Sequence, residues 1–376
     1  MNKNALFIGP YRQNDGWGLA AQDFIKAIAT KINNITTRPI YLGKSSSIND
    51  PDILQYEENL YNDYDIVFQH TLPHCITINR KIKKNIGLFH LETNDISHSD
   101  SIFILNKLDE ICVSSKQEAK CLKKSGITTK IKVVSIPLNI NMIEKNRSQK
   151  LSGLSSRLGN TFKFYTIGEF NERKNILDLV LAFHLAFDIT DNVSLVIKSS
   201  VPGLDQTASL NHIQNEIKIL KQRLNIRNSY KKELVITERL TDEDLIGLHN
   251  TCNCFVAPSL GEAFCRPAAE ALILGKTPIV TDNTGMTDFI NNENGYIINS
   301  KKHPVIVNDR PLSDQFDIYT ANEYWYKPNI YSLIEQMRTV YETYKKDRKI
   351  YQQKVELGQS SAEQFSYETI GSKICD

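Results

Sequence analysis

No stretch of this 376-residue sequence approaches the roughly 18 uncharged apolar residues in a row that a membrane-spanning helix requires. Its first residues, MNKNALFIGPYRQ, also lack the apolar run of about 7–15 residues that marks a secretory leader. These two absences predict a cytoplasmic address. The cysteines (Cys75, Cys112, Cys121, Cys252, Cys254, Cys265, Cys375) form no C-x-x-C spacing, which excludes the zinc and redox motifs built on it and predicts reduced thiols. Net charge is nearly absent too: 45 basic and 43 acidic residues leave +2 and no bulk electrostatic reason to bind nucleic acid. No internal repeat or low-complexity tract interrupts the chain.

The small basic excess is uneven, with 20 basic against 15 acidic residues in positions 1–150. Part of it sits in Arg80, Lys81, Lys83 and Lys84 and in Lys116, Lys120, Lys123 and Lys124. A solvated face is the plain reading. The alternative is peripheral contact with an anionic acceptor or the inner face of a membrane.

Short apolar runs alternate with amphipathic stretches from the start. Strands are expected at Ala5–Ile8, Ile40–Leu42, Ile66–Gln69, Ile86–Phe89, Ile111–Ser114 and Lys132–Ile136, with a helix over Trp17–Ala29. Residues 139–161 are polar and aperiodic and read as a linker. A second alternating series follows, with strands at Phe162–Ile167, Ser194–Lys198, Leu234–Thr237, Cys254–Ala257 and Pro278–Thr281, and helices at Ile176–Phe187, Ala208–Leu224 and Pro267–Leu274. The pattern predicts an α/β chain of two doubly wound domains facing across a cleft, where a ligand is expected. The expected division is 1–150, 151–357 and a closing helical segment, 358–376.

The most informative string is Pro258-Ser-Leu-Gly-Glu262-Ala-Phe264-Cys265-Arg266-Pro267-Ala-Ala-Glu270, continuing to Gly275. Proline suits the first turn of a helix and glycine the residue after its end. The helix start would therefore follow a buried strand and present its amides to an anion. Taken alone, Glu262 reads more readily as a solvated loop acid and Glu270 as an acid favoured by the helix dipole.

As a whole, the string resembles the nucleotide-binding signature of the family-4 glycosyltransferases of the GT-B fold, in which two glutamates flank seven residues. The resemblance implies that Glu270 holds the ribose hydroxyls, that Glu262 lies near the donor sugar, and that Phe264, Cys265 and Arg266 line the nucleotide. Gly168-Glu-Phe-Asn-Glu-Arg173-Lys174-Asn175 is similar to the family's basic loop, which implies that Lys174, with Arg173, contacts the donor diphosphate. Leu240–Leu245, Asn283–Ile290 and Trp325–Pro328 follow in the family's order. Two positions depart from it: Glu169 where arginine is usual, and Cys265 where glycine is common.

In the first domain, Gly16-Trp17-Gly18-Leu-Ala-Ala is a literal G-x-G-x-x-A string. Six residues separate it from the strand before it, and no acid closes the next strand, so a dinucleotide fingerprint is disfavoured. By resemblance, Gly16 and Gly18 let the backbone approach the donor phosphates; a plain loop before a helix is the alternative. His90 ends an expected strand, and its position matches a histidine that contacts the donor sugar in family members. A packed ring is the competing reading. His70 and His74 carry no assignment. Asp63-Tyr-Asp65 and Asp242-Glu-Asp244 imitate a metal motif, but one precedes its strand and the other opens a helix, so no metal is expected.

The resulting expectation is a metal-independent, retaining glycosyltransferase of the hexosyltransferase type, with a nucleotide-sugar donor as substrate, no separate cofactor, and a glycan or lipid-linked acceptor. The alternatives are a sugar-nucleotide epimerase on the same fold and a catalytically inactive sugar-nucleotide binding module.

Overall fold

A computed structural model describes residues 3–43, 47, 50–224, 231, 233–305 and 322–376. Among the described residues the chain divides into two compact units: one holds the chain up to Ile140 and takes back residues 322–324 and Glu363–Asp376, and the other holds residues 141–305 together with Trp325–Ala362.

In the first unit, strands β1 (Asn4–Gly9), β2 (Asn34–Pro39), β3 (Ile66–His70), β4 (Lys84–Leu88), β5 (Glu110–Val113) and β6 (Ile131–Val133) form one sheet in the order β2-β1-β3-β4-β5-β6. Every pairing in it is parallel. The order turns back between β1 and β3. A doubly wound sheet binds ligands at the carboxyl ends of the strands beside such a point.

The strand expected at Ile40–Leu42 is replaced by Asn34–Pro39. The β-branched run Ile35-Thr36-Thr37 is buried and pairs with β1, whereas Tyr41 lies at the exposed end. Ile40 still donates its amide to the Gly9 carbonyl (3.0 Å), so the apolar triplet marks where the ladder ends.

The second unit repeats the plan with β7 (Phe162–Glu169), β8 (Val193–Ser200), β9 (Glu233–Ile236), β10 (Cys254–Ala257), β11 (Ile279–Thr281) and β12 (Tyr296–Ile298), ordered β12-β11-β10-β7-β8-β9. Here the switch lies between β7 and β10. The loops leaving their carboxyl ends are the two basic and acidic strings singled out in the sequence. Phe162, Phe164, Phe183, Leu195 and Met337 fill the core beneath. A two-stranded sheet, β13 (Ser300–Pro304) with β14 (Tyr324–Pro328), completes the described strands.

The polar stretch 139–161 holds short helices at Ile140–Lys145 and Leu154–Leu158, and between them Leu151 donates its amide to the Gly247 carbonyl (3.1 Å). The returning helix Tyr367–Cys375 lies hard against helix Gly16–Ala29: a Cβ on Gly371 would stand 2.2 Å from the Ala27 carbonyl oxygen. Tyr367 also donates its hydroxyl to Asp23 (2.5 Å). Among the described residues, no helix is long and apolar enough to cross a membrane.

Candidate active site

The loop Pro258–Cys265 leaves buried β10 and is sewn down on several sides. Leu260 donates its amide to the Arg173 carbonyl (2.7 Å) and accepts from Tyr326 (2.8 Å), while the Glu262 carbonyl accepts from Gly285 (2.7 Å). The Arg173 guanidinium donates to the Gly261 carbonyl (2.7 Å), and Asn175 donates its side-chain amide to Pro258 (3.1 Å). Gly168, Arg173, Lys174, Glu262 and Gly285 therefore meet at one sheet edge, as their strings in the sequence suggested.

At its centre is a buried charge cluster. Lys174 Nζ lies 2.6 Å from Glu262 Oε1, and Arg173 lies 3.2 Å from Oε2. Burial pushes the Glu262 carboxyl up, but the Lys174 and Arg173 charges outweigh it and hold the group below its usual range. The Lys174 ammonium is lifted above its own, since the attraction of Glu262 overcomes burial and the repulsion of Arg173. All three groups are charged, so two cations oppose one anion and the cluster keeps a net positive charge for a further anion.

Helix Arg266–Ile273 begins beside the cluster. Its N-cap residue, Cys265, has φ +68° and makes no side-chain cap; its carbonyl accepts from the Ala268 amide (3.0 Å), so what the helix start offers an anion is the positive end of its dipole. The described non-glycine residues with positive φ are Asn175, Cys265 and Asn283, all on loops of this edge. Asparagine tolerates that region; a cysteine there costs of order 1 kcal/mol and persists because its surroundings fix it. The Cys265 thiol is buried and pushed up to about 12, which leaves it unreactive.

One turn into the helix, Glu270 Oε1 accepts from Arg266 Nε (2.8 Å), and Oε2 lies 3.5 Å from His249 Nε2. Burial raises the Glu270 carboxyl, but the partners His249 and Arg266 bring it below its ordinary value, so it is an ionised acceptor. Behind it, Tyr165 and His249 Nδ1 are 2.6 Å apart. Neither was singled out in the sequence: a tyrosine in a buried strand and a histidine in the last turn of helix Asp242–Thr251 both read as core. Phe264 packs against Phe289 with ring centroids 5.1 Å apart and is buried, so its ring belongs to the interior. Glu169 is exposed.

In the first unit, Asp15 caps helix Gly16–Ala29 by accepting the Gly18 amide (2.9 Å). The two glycines differ: a Cβ on Gly16 would meet nothing within 4 Å, whereas one on Gly18 would sit 1.9 Å from the Gln13 carbonyl oxygen. The open approach expected of this loop is thus available at Gly16, and Gly18 is required by packing.

His90 is drawn inward. Its Nε2 lies 3.1 Å from Nε2 of His70 and its Nδ1 3.2 Å from Ser114 Oγ, which donates to Glu118 (2.6 Å). The Trp17 ring lies 5.1 Å from both imidazoles. Burial lowers His90 to about 4 and His70 well below 6.5, the latter helped by the charge His90 would carry. Burial raises Glu118 to about 8 against the hydrogen bonds it accepts from Ser114, Leu91 and Ser115.

These shifts predict a pH dependence of stability. Two histidines with depressed pKa values give stability that is full above about 6.5 and is lost as pH falls toward about 4. Glu118, with a raised value, gives stability that is lost as pH rises toward about 8. Each proton is worth about 1.4 kcal/mol per pH unit. Urea midpoints should peak near pH 6.5, and Glu118→Gln should flatten the alkaline side and steepen the acid side, where the Glu118 proton otherwise offsets one of the two histidine protons. A wild-type midpoint constant from pH 5 to 8 would refute this.

The acidic pairs behave as structural groups: Asp65 accepts from the Asn4 amide (3.1 Å) and pairs with Lys83 (2.9 Å), while Asp242–Asp244 open a helix capped by Thr241. Part of the basic excess is neutralised, Lys84 by Glu110 (3.5 Å) and Lys124 by Asp95 (2.7 Å).

Two parallel six-stranded Rossmann-like units, one carrying a basic loop and an acid-bearing loop at its switch point, define an α/β protein of the GT-B class. Residues 155–310 match the family model described as Glycosyl transferases group 1. Serotype-specific mannosyltransferase WbdA of Escherichia coli is 38% identical over 74 residues, which span 19% of this chain and 9% of that protein. Anabaena Alr3699/HepE, solved with UDP and glucose, aligns over 99% of this chain and 98% of its own at a TM-score of 0.63 and 15% identity. Sucrose-phosphate synthase from Thermosynechococcus elongatus aligns over 99% and 97% at a TM-score of 0.64 and 14% identity. At such identities the structural likeness speaks for the fold.

Proposed function

We propose that the chain is a glycosyltransferase that moves a sugar from a nucleoside diphosphate donor to a glycan or lipid-linked acceptor with retention of anomeric configuration, as in family 4. The observation that carries this reading is the Arg173–Lys174–Glu262 cluster beside an uncapped helix start, with ionised Glu270 one turn along the same helix. The spacing suits a ligand with an anionic centre and a vicinal diol. The match to a glycosyltransferase family model, a relative named as a mannosyltransferase and a fold relative solved with UDP and glucose all support it.

In this reading, departure of the diphosphate builds negative charge on the β-phosphate, and Lys174, Arg173 and the positive end of the helix dipole stabilise it. Glu270 accepts from the ribose hydroxyls. Glu262 has two tasks: it keeps the cations in place before the donor arrives and orients the sugar afterwards. His90 takes part in transfer as a neutral ring.

Calorimetry with a panel of UDP- and GDP-sugars, followed by mass spectrometry of products, tests the proposal. Glu270→Ala should weaken nucleoside diphosphate binding about tenfold or more, since hydrogen bonds to a charged group are worth roughly 1.5–3 kcal/mol. Failure of the wild-type protein to bind any nucleoside diphosphate would overturn the reading.

A further inference from the structure

Glu270 stands on a stacked arrangement that the charge cluster does not explain. Its side chain keeps 16% exposure, the edge a ligand would reach, whereas the His249 side chain keeps 1% and touches only protein. His249 Nε2 faces Glu270 Oε2 at 3.5 Å, an electrostatic contact longer than a formed hydrogen bond, and has no hydrogen-bond partner among the described residues. On its other side, Nδ1 is 2.6 Å from the Tyr165 hydroxyl.

Proton accounting fixes the direction. A bare lone pair on Nε2 would point at an ionised carboxylate and repel it, so Nε2 must carry the hydrogen. In the neutral ring Nδ1 is then the acceptor, and the Tyr165 hydroxyl donates to it. Arg266, on the same helix, donates to Oε1 (2.8 Å), so one oxygen of the carboxylate is held by a hydrogen bond and the other faces the imidazole edge.

We propose that His249, oriented by Tyr165, is a positioning residue that fixes the Glu270 carboxylate for recognition of the ribose diol of a nucleoside diphosphate. This rests on the donor-binding reading above. His249 contributes no contact to the ligand; it acts through the angle at which Glu270 presents its free lone pairs.

The test uses the full chain with four probes: UDP and GDP, each as the ribonucleotide and as the 2′,3′-dideoxy form, titrated by calorimetry against the wild type, His249→Leu, His249→Gln and Tyr165→Phe. Loss of a charge-assisted contact predicts that His249→Leu weakens ribonucleotide binding about tenfold and dideoxynucleotide binding less than about twofold. Gln, whose amide reaches the place of Nε2, should recover most of the loss. Tyr165→Phe leaves the ring free to take either tautomer and should cost a few-fold, again on the ribonucleotide alone.

Equal losses on both nucleotide forms would mean that His249 is merely structural, and unchanged ribonucleotide affinity would remove its role; either outcome overturns the proposal. If His249→Leu fails to fold, as its melting curve would reveal, Tyr165→Phe decides, since it removes a single oxygen. Failure of the donor-binding reading looks different: the wild-type protein would then bind neither nucleotide form.

Discussion

Glu262→Ala should be strongly destabilised as well as inactive, losing about 3–5 kcal/mol, the usual cost of removing one partner from a buried ion pair. The reason is the arrangement of the cluster. Lys174 and Arg173 are each held by one oxygen of the carboxylate, both side chains are largely covered, and among the described residues no other acid stands against Lys174. Without Glu262, two neighbouring cations would be buried against each other. A diphosphate bound to the protein would bring replacement negative charge, so UDP or GDP should raise the melting temperature of the variant by more than that of the wild type. Glu262→Gln keeps hydrogen-bond acceptance and should fall between the two. Scanning calorimetry with and without nucleotide checks this, and a Glu262→Ala protein as stable as the wild type would mean that the cluster is not the charge centre argued here.

Gly18→Ala should cost at least about 1–3 kcal/mol, the range for overpacking, while Gly16→Val should fold normally. Both sit in one glycine string, and sequence alone treats them as equivalent. The added methyl at Gly18 would meet the Gln13 carbonyl, and that backbone cannot retreat. The Gln13 amide donates to the Pro10 carbonyl (2.7 Å), and its side chain both accepts from the Leu42 amide (2.5 Å) and donates to the Leu42 carbonyl (3.2 Å). At Gly16 the same methyl points into open space, so any loss of transfer in Gly16→Val would report on function alone. Urea unfolding of the two variants checks the contrast, and equal stabilities would refute it.

The residues most legible in the sequence were those whose chemistry is local. Lys174, Glu262 and Glu270 announced themselves because a strand end, a proline at a helix start and a fixed spacing of acids are short-range signals, and their strings converge at the β7–β10 edge. Pairing across the sheet was harder to read. Asn34–Pro39 looks too polar for a strand until Thr36 is seen to donate its hydroxyl to Asn59 (3.0 Å), which allows it to be buried. The same limit hid Tyr165 and His249, on a strand and a helix 84 positions apart, and the His70–His90–Ser114–Glu118 chain, which runs over the ends of β3, β4 and β5 to the helix Lys116–Lys124. A lone histidine carries no sign of the partner that gives it a purpose.

The return of Glu363–Asp376 to the first unit has a consequence for biosynthesis. Helix Gly16–Ala29 emerges early from the ribosome, yet the residues that cover its face at Ala27 are translated only after the entire second unit. At typical elongation rates that delay is on the order of tens of seconds. During that time the nascent first unit exposes apolar surface that a chaperone, or a neighbouring nascent chain on the same polysome, can bind. The second unit is completed almost as late, because its core takes in Met337 and its chain runs to Ala362, so both units close only near the end of synthesis.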